Sequence, residues 1–280
     1  MLNKQFSLVN ITLTENQTIE FLAEEYYSNL DKFLKSVHCD TLFNFAGLRR
    51  VLSWAAQASQ KFRNVSFELK NASSGIKAQK PRWETCVSAI NNKMPEIAGY
   101  LYVQHKFSGR AKEEVEDLVR RLTAIFNETI QNSTWMDNQT KSVAEEKLAN
   151  MITKIGYPSR ILNKTYLEQL YPYVPNLNLS SPYLEMSYYI SQNNWKRELL
   201  MLGKPYDKNS VWLVGPTAVN AFYNLAGNEM LFPSAILQGV FYQHGLPRSL
   251  NFGAIGMVVG HEMTHGFDNT GEYIRKSILV

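Results

Sequence analysis

The chain has 280 residues, 45% of them hydrophobic and 12% aromatic, enough for a sizeable core and unlike a disordered composition. Its 29 basic and 25 acidic residues leave a net charge of +4 with no dense Lys/Arg cluster, so nothing supports a nucleic-acid or membrane-surface role. No stretch approaches the roughly 18 apolar residues of a membrane span, and residues 1–5 lack the basic segment and apolar run of a signal peptide.

The first two-thirds reads as helices. Residues 16–37 open on a Thr/Glu capping pattern and place Ile19, Leu22, Tyr26, Leu30 and Phe33 near helical spacing. A second helix over 41–62 has a broad apolar face that includes Phe43, Leu48, Val51 and Trp54, and the Gly, Ser and Pro content of 70–81 marks a loop. Residues 109–130 form a helix with Val115, Leu118, Val119, Leu122 and Ile125 on one side, while Glu114 and Arg121 belong to a solvated outer face. The next helix is expected from 137 to a stop at Gly156 and Pro158, and another over 181–202.

Near residue 210 the pattern changes to β-branched and aromatic runs around "NLAGNE", which predict a hairpin or two short strands, with Pro233 marking an edge. A final helix is expected over 249–266; Gly253, Gly256 and Gly260 within it imply close packing on a neighbour. The fold class is therefore mainly α with a small β element.

Asn-x-Ser/Thr sequons occur nine times, at Asn10, Asn16, Asn64, Asn71, Asn127, Asn132, Asn138, Asn163 and Asn178. Chance at this composition gives about three, so the expectation is a glycosylated, extracellular or cell-surface protein. With no export signal in the chain, the N-terminus is expected to be missing. Cys39 and Cys86 could pair with each other or with cysteines outside the chain.

His261-Glu262-Met263-Thr264-His265 is an HExxH motif. On a helix, positions i and i+4 share a face, so both imidazoles reach one Zn²⁺ from the same side. Glu262 then stands where it can take the proton of a metal-bound water attacking a peptide carbonyl. A catalytic zinc needs a third protein ligand, and it is not obvious here. The metzincin position is Gly271. Asp268, i+3 from His265, is better suited to orienting that imidazole than to binding metal. Glu272 would have to fold back, and His38, His105 and His244 are solitary in the sequence.

Around this motif, "VNAFYNLAGNEMLFPSAILQ" (219–238) and "LNFGAIGMVVGHEMTHGFD" (250–268) resemble the neprilysin and endothelin-converting enzyme family of zinc metallopeptidases, peptidase family M13. Upstream "RWETCV", "GYLYVQHKF", "VEDLVRRLTAIF" and "TWMDNQTKSVAEEKLANMITKIGYP" extend the resemblance over most of the chain. The resemblance implies the central portion of a two-lobed gluzincin-type enzyme. Residues 1–208 would be a helical N-terminal region, and 209–280 the start of the catalytic region.

It also implies roles residue by residue. His261 and His265 would bind one zinc ion and Glu262 would be the catalytic base. Asn220 and Ala221 would hydrogen-bond the backbone of a peptide substrate, as an edge strand can. Ile236, Phe241, Met257 and Val258 would line the pocket for the apolar residue after the cleaved bond. The residues alone would place those four in the core. Family members continue to a Glu-x-x-x-Asp helix supplying the third ligand and a supporting Asp, which is expected beyond Val280. A membrane anchor is expected only in a preceding segment. Cys86 matches a family cysteine whose partner lies upstream, whereas Cys39 and the tail "NTGEYIRKSILV" depart from the pattern. Two expectations follow: a zinc endopeptidase cleaving on the amino side of apolar residues, or a truncated, inactive chain able at most to bind peptide weakly.

Overall fold

The computed structural model describes residues 2–17, 23–107, 109–178, 180–205, 207–208 and 210–268. These are mainly helical with one small sheet, as predicted. In chain order the elements are α1 (Leu2–Phe6), α2 (Glu24–Ser36), α3 (Cys39–Ala58), α4 (Gln60–Ser74), α5 (Arg82–Lys93), α6 (Pro95–Lys106), α7 (Gly109–Asn132) and α8 (Asn138–Ala149). There follow β1 (Ile152–Gly156), α9 (Lys164–Glu168), α10 (Tyr183–Leu199), β2 (Phe222–Asn224), β3 (Glu229–Pro233), α11 (Arg248–Gly253) and α12 (Ile255–His265). None of the described helices is long and apolar enough to cross a membrane. The chain forms two compact units, one from Met1–Thr85 with Tyr171–Gly203 and the other from Cys86–Leu170 with Lys204–Val280.

In the first unit, the single helix expected over 41–62 is two. Ser59 adopts extended backbone (φ −152°, ψ 168°), and its hydroxyl accepts the Phe62 N–H. A serine there satisfies an amide that has no partner within the helix, so the chain restarts as α4. α4 runs on to Ser74 and closes at Gly75, φ 68°, which shortens the loop expected over 70–81. Residues 18–22 of the first expected helix, including Ile19 and Leu22, lie outside the described residues. α10 packs on α3: the Ser187 hydroxyl donates to Gln57 Oε1 at 2.7 Å, and the Trp54 and Tyr188 rings lie 5.7 Å apart.

The second unit is organised by α7. Its Ala111, Val115, Leu118, Val119 and Ile130 are buried, and it packs against α8, α12 and β1. The sheet order is β1-β3-β2, with β1 parallel and β2 antiparallel to β3. Two expectations are corrected here. The helix predicted to reach Gly156 ends at Ala149, and residues 152–156 become β1, because β-branched Ile152, Thr153 and Ile155 pair with Glu229, Met230 and Phe232. Pro233 is not on an edge but ends the central strand. The ladder continues past it through the Ser234 N–H, which donates to Gly156 O at 2.9 Å. Among the described residues the two edge strands are β1 and β2.

Inside the sheet, Lys154 Nζ donates to Glu229 Oε2 at 2.9 Å and to Val211 O at 2.7 Å, and both side chains of the ion pair are buried. The segment leading to β2 is locked on α6. A Cβ on Gly99 would lie 2.5 Å from Pro216 Cδ, and one on Gly215 would lie 2.7 Å from Pro95 Cβ. After β3, Ile236, Leu237 and Tyr242 are buried. The Tyr242 hydroxyl donates to Glu114, and His244 Nδ1 lies 2.7 Å from Glu114 Oε1. Glu114 is therefore engaged rather than part of a purely solvated face, and His244 is not solitary. Nor is His38, whose Nδ1 accepts the Asp40 N–H at the start of α3 and whose neighbours Cys39 and Asp40 are also exposed.

Candidate metal centre

The helix expected over 249–266 breaks at Ala254 (φ −95°, ψ −87°), so α12 begins afresh at Ile255. Its buried face is Ile255, Gly256, Val259, Glu262 and Met263, whereas Met257, His261 and Thr264 are exposed. The 3.6-residue period thus places the apolar side chains on the core and leaves the histidine face open. Of the three glycines expected to pack closely, only Gly256 has a neighbour near its missing Cβ, Leu122 Cδ1 at 3.5 Å. Gly253 and Gly260 face open space. The tight position is Gly266, where a Cβ would lie 2.9 Å from Met151 Cε and 3.0 Å from the Tyr223 hydroxyl.

His261 Nε2 and His265 Nε2 lie 3.1 Å apart with their rings at 84°. His265 Nδ1 lies 2.9 Å from Asp268 Oδ2. A carboxylate there favours the tautomer with the proton on Nδ1, which leaves the Nε2 lone pair directed at His261. Two imidazole nitrogens on one tetrahedral zinc at about 2.0–2.1 Å are about 3.3 Å apart, so this pair fits a shared zinc ion. Among the described residues no third His, Cys, Asp or Glu joins them closely enough to share an ion. Gly271 and Glu272 lie outside the described residues.

Glu262 is 6% exposed beside the exposed His261. Burial pushes its carboxyl above the usual carboxylate range, and the two histidines partly offset this. Asn220 is exposed and Ala221 buried, immediately before β2, whose outer edge has no strand against it among the described residues. Ile236 belongs to the core cluster and Phe241 and Val258 pack against it, while Met257 is 63% exposed.

The sequence reading missed what braces the C-terminal end of α12. The Tyr223 hydroxyl donates to Asn228 Oδ1 at 2.6 Å, and Asn228 Nδ2 donates to Lys147 O at 3.0 Å. Asn228 is fully buried at φ 51°. Its place in "AGNE" fits a left-handed turn residue, but nothing local connects it to Lys147.

Sequence models of peptidase family M13 match residues 2–158 and 220–277. The chain is 34% identical to mouse (Mus musculus) membrane metallo-endopeptidase-like 1 over 97% of its own length and 35% of that protein's. It is 33% identical to human (Homo sapiens) neprilysin over 98% of its length and 36% of neprilysin's. It therefore spans about a third of the curated relatives it matches. Among solved structures, a Mycobacterium tuberculosis zinc metalloprotease in complex with an inhibitor superposes with a TM-score of 0.76 at 31% identity, covering 88% of this chain and 36% of that one. The crystal structure of PEPO from Lactobacillus rhamnosis gives a TM-score of 0.71 at 28% identity, covering 82% of this chain and 36% of that one.

Proposed function

The chain belongs to peptidase family M13, and we propose that it carries the metal-binding helix and substrate strand of a neprilysin-type zinc endopeptidase. The carrying observation is the convergence of His261 and His265 Nε2, 3.1 Å apart, beside a buried Glu262. In this reading the two histidines hold one zinc ion per site. Zinc bound there would acidify a water and polarise the scissile carbonyl.

Glu262 takes the proton of the attacking water, a role its raised proton affinity favours. Asp268 keeps His265 in the tautomer that offers Nε2. The peptide lies along the open edge of β2, bonded by Asn220 and Ala221. Met257, Val258, Phe241 and Ile236 contact the apolar residue on the amino side of which cleavage occurs. Residues 1–208 serve as the N-terminal region and 209–280 as the start of the catalytic one.

A second reading concerns this 280-residue chain by itself: it binds zinc weakly and does not turn over. The absence of a third ligand beside His261 and His265 among the described residues favours it. One experiment separates the readings: zinc stoichiometry by equilibrium dialysis, with cleavage of a quenched peptide bearing an apolar residue after the scissile bond. Equimolar tight zinc, with turnover abolished in Glu262→Gln, supports the active reading. Loose zinc and no turnover support the second. In this reading the site lies outside the cell, which is supported by the exposure of eight of the nine sequon asparagines, with Asn127 half-buried. Glycosidase treatment of secreted chain should lower its mass, and an unchanged mass would refute this.

A further inference from the structure

The chain between β3 and α11, residues 234–247, carries Phe241 but contains no helix or strand of its own. Gly239 (φ 61°) and Gly245 (φ 83°) interrupt it with left-handed backbone. Its internal bonds are single turns, such as the Phe241 N–H to Gln238 O at 3.3 Å. A segment of this kind keeps one shape only where it is tied to rigid neighbours.

The first half is tied to the sheet and to α6. Ser234 N–H donates to Gly156 O at 2.9 Å, and Gln238 Nε2 donates to Lys106 O at 2.6 Å. The second half is tied to α7 through Glu114, which lies beside the buried Val115. Two donors from the segment converge on its carboxylate: the Tyr242 hydroxyl on Oε2, and His244 Nδ1 at 2.7 Å from Oε1. A carboxylate only accepts, so the proton of the imidazole stands on Nδ1, whereas a glutamine would turn an N–H toward one of the two donors. Between them Gln243 is held by Asn251, whose Oδ1 accepts the Gln243 N–H at 3.1 Å and whose Nδ2 donates to the Gln243 carbonyl at 3.0 Å. Phe241, packed against the core, therefore sits between the Gln238 tie and the Glu114 tie.

We propose that Glu114 is a positioning residue that, through Tyr242 and His244, fixes where the Phe241 ring stands and so how strongly the site prefers a large apolar residue after the cleaved bond. The inference rests on the reading of Phe241 as a pocket residue, but its first readout does not.

The test uses the full 280-residue chain. Amide hydrogen exchange read by mass spectrometry should show residues 238–244 protected in wild type. Glu114→Ala should speed exchange there about 10-fold, with β3 and α12 unchanged. Glu114→Gln, which keeps one acceptor, should give a smaller rise. In a background of Tyr242→Phe with His244→Ala, the Glu114→Ala change should add nothing. Fluorescence anisotropy of two labelled peptides, alike except for Leu or Ala after the scissile bond, then reads the pocket. Wild type should prefer the Leu peptide, and Glu114→Ala should reduce that preference about 10-fold.

Circular dichroism establishes folding, and Tyr242→Phe, which keeps the ring, is the second variant if Glu114→Ala does not fold. Wild-type exchange over 238–244 in the folded variant would overturn the proposal. So would a rise spread through the whole chain, or a loosened segment with the Leu preference intact. If wild type itself shows no Leu preference while the variant still loosens 238–244, the pocket reading fails and the positioning of Phe241 by Glu114 stands.

Discussion

α7 in the second unit is 24 residues long and buries five of them, whereas α3 in the first is 20 residues long and buries none. Both carry the apolar side chains to do so. Phe43, Phe45, Leu48, Val51 and Leu52 of α3 are all exposed. Of the buried apolar residues described, Leu199 alone belongs to the first unit. A core therefore depends on a facing surface as well as on periodicity. α7 has α8, α12 and β1 against it, while α3 packs on α4 and α10 and still leaves those five side chains exposed among the described residues. Hydrophobic burial stabilises only the surface actually removed from water, so the two units should respond unequally to the same substitutions.

The largest expected contrast is Phe232→Ala against Phe43→Ala. Phe232 is 0% exposed in the central strand and Phe43 is 78% exposed. Urea unfolding should show a loss of about 3–5 kcal/mol for the first and within about 0.5 kcal/mol for the second. Equal losses would break the contrast.

Glycine-to-alanine changes should differ in sign. Gly99→Ala forces a methyl group to within 2.5 Å of Pro216 and should cost about 1–3 kcal/mol. Gly47→Ala in α3 meets nothing within 4 Å and should stabilise by about 0.5–1 kcal/mol. Thermal midpoints moving in opposite directions are the check.

The smallest effect sharpens the picture within the better-packed unit. The folded-state pKa of Glu262 is raised, so ionising it costs stability. In chelator-treated protein, Glu262→Gln should be the more stable form at neutral pH, and the difference should vanish as pH falls below the usual carboxylate range. Glu114, held below that range chiefly by the Tyr242 hydroxyl, works the other way. Its contribution is present at neutral pH and lost on acidification, so Glu114→Gln should destabilise only above the carboxylate range. Melting curves across pH would show parallel rather than opposed differences if either assignment is wrong.

What the sequence disclosed follows from distance along the chain. His261, His265 and Asp268 are legible because one helical turn fixes their relation. Lys147 and Asn228 are not, because their 81-residue separation is bridged only by tertiary structure. The failures at Ser59 and Ala254 are of another kind, since an apolar face can continue through one residue of extended or distorted backbone without changing its pattern. β1 was misread because five residues after a helix carry too little alternation to reveal a strand whose partner lies far downstream.

That partner has a consequence for how the molecule is made. Lys154 and Glu229, joined by an ion pair between β1 and β3, are 75 residues apart in sequence, and the intervening chain includes Tyr171–Gly203, which folds into the other unit. On a ribosome, β1 must emerge and wait, unpaired, until the whole excursion has been synthesised and β3 appears. Late, non-local closure of this kind slows folding. It also means that no single contiguous cut can excise the unit bearing His261 and His265 with its sheet intact.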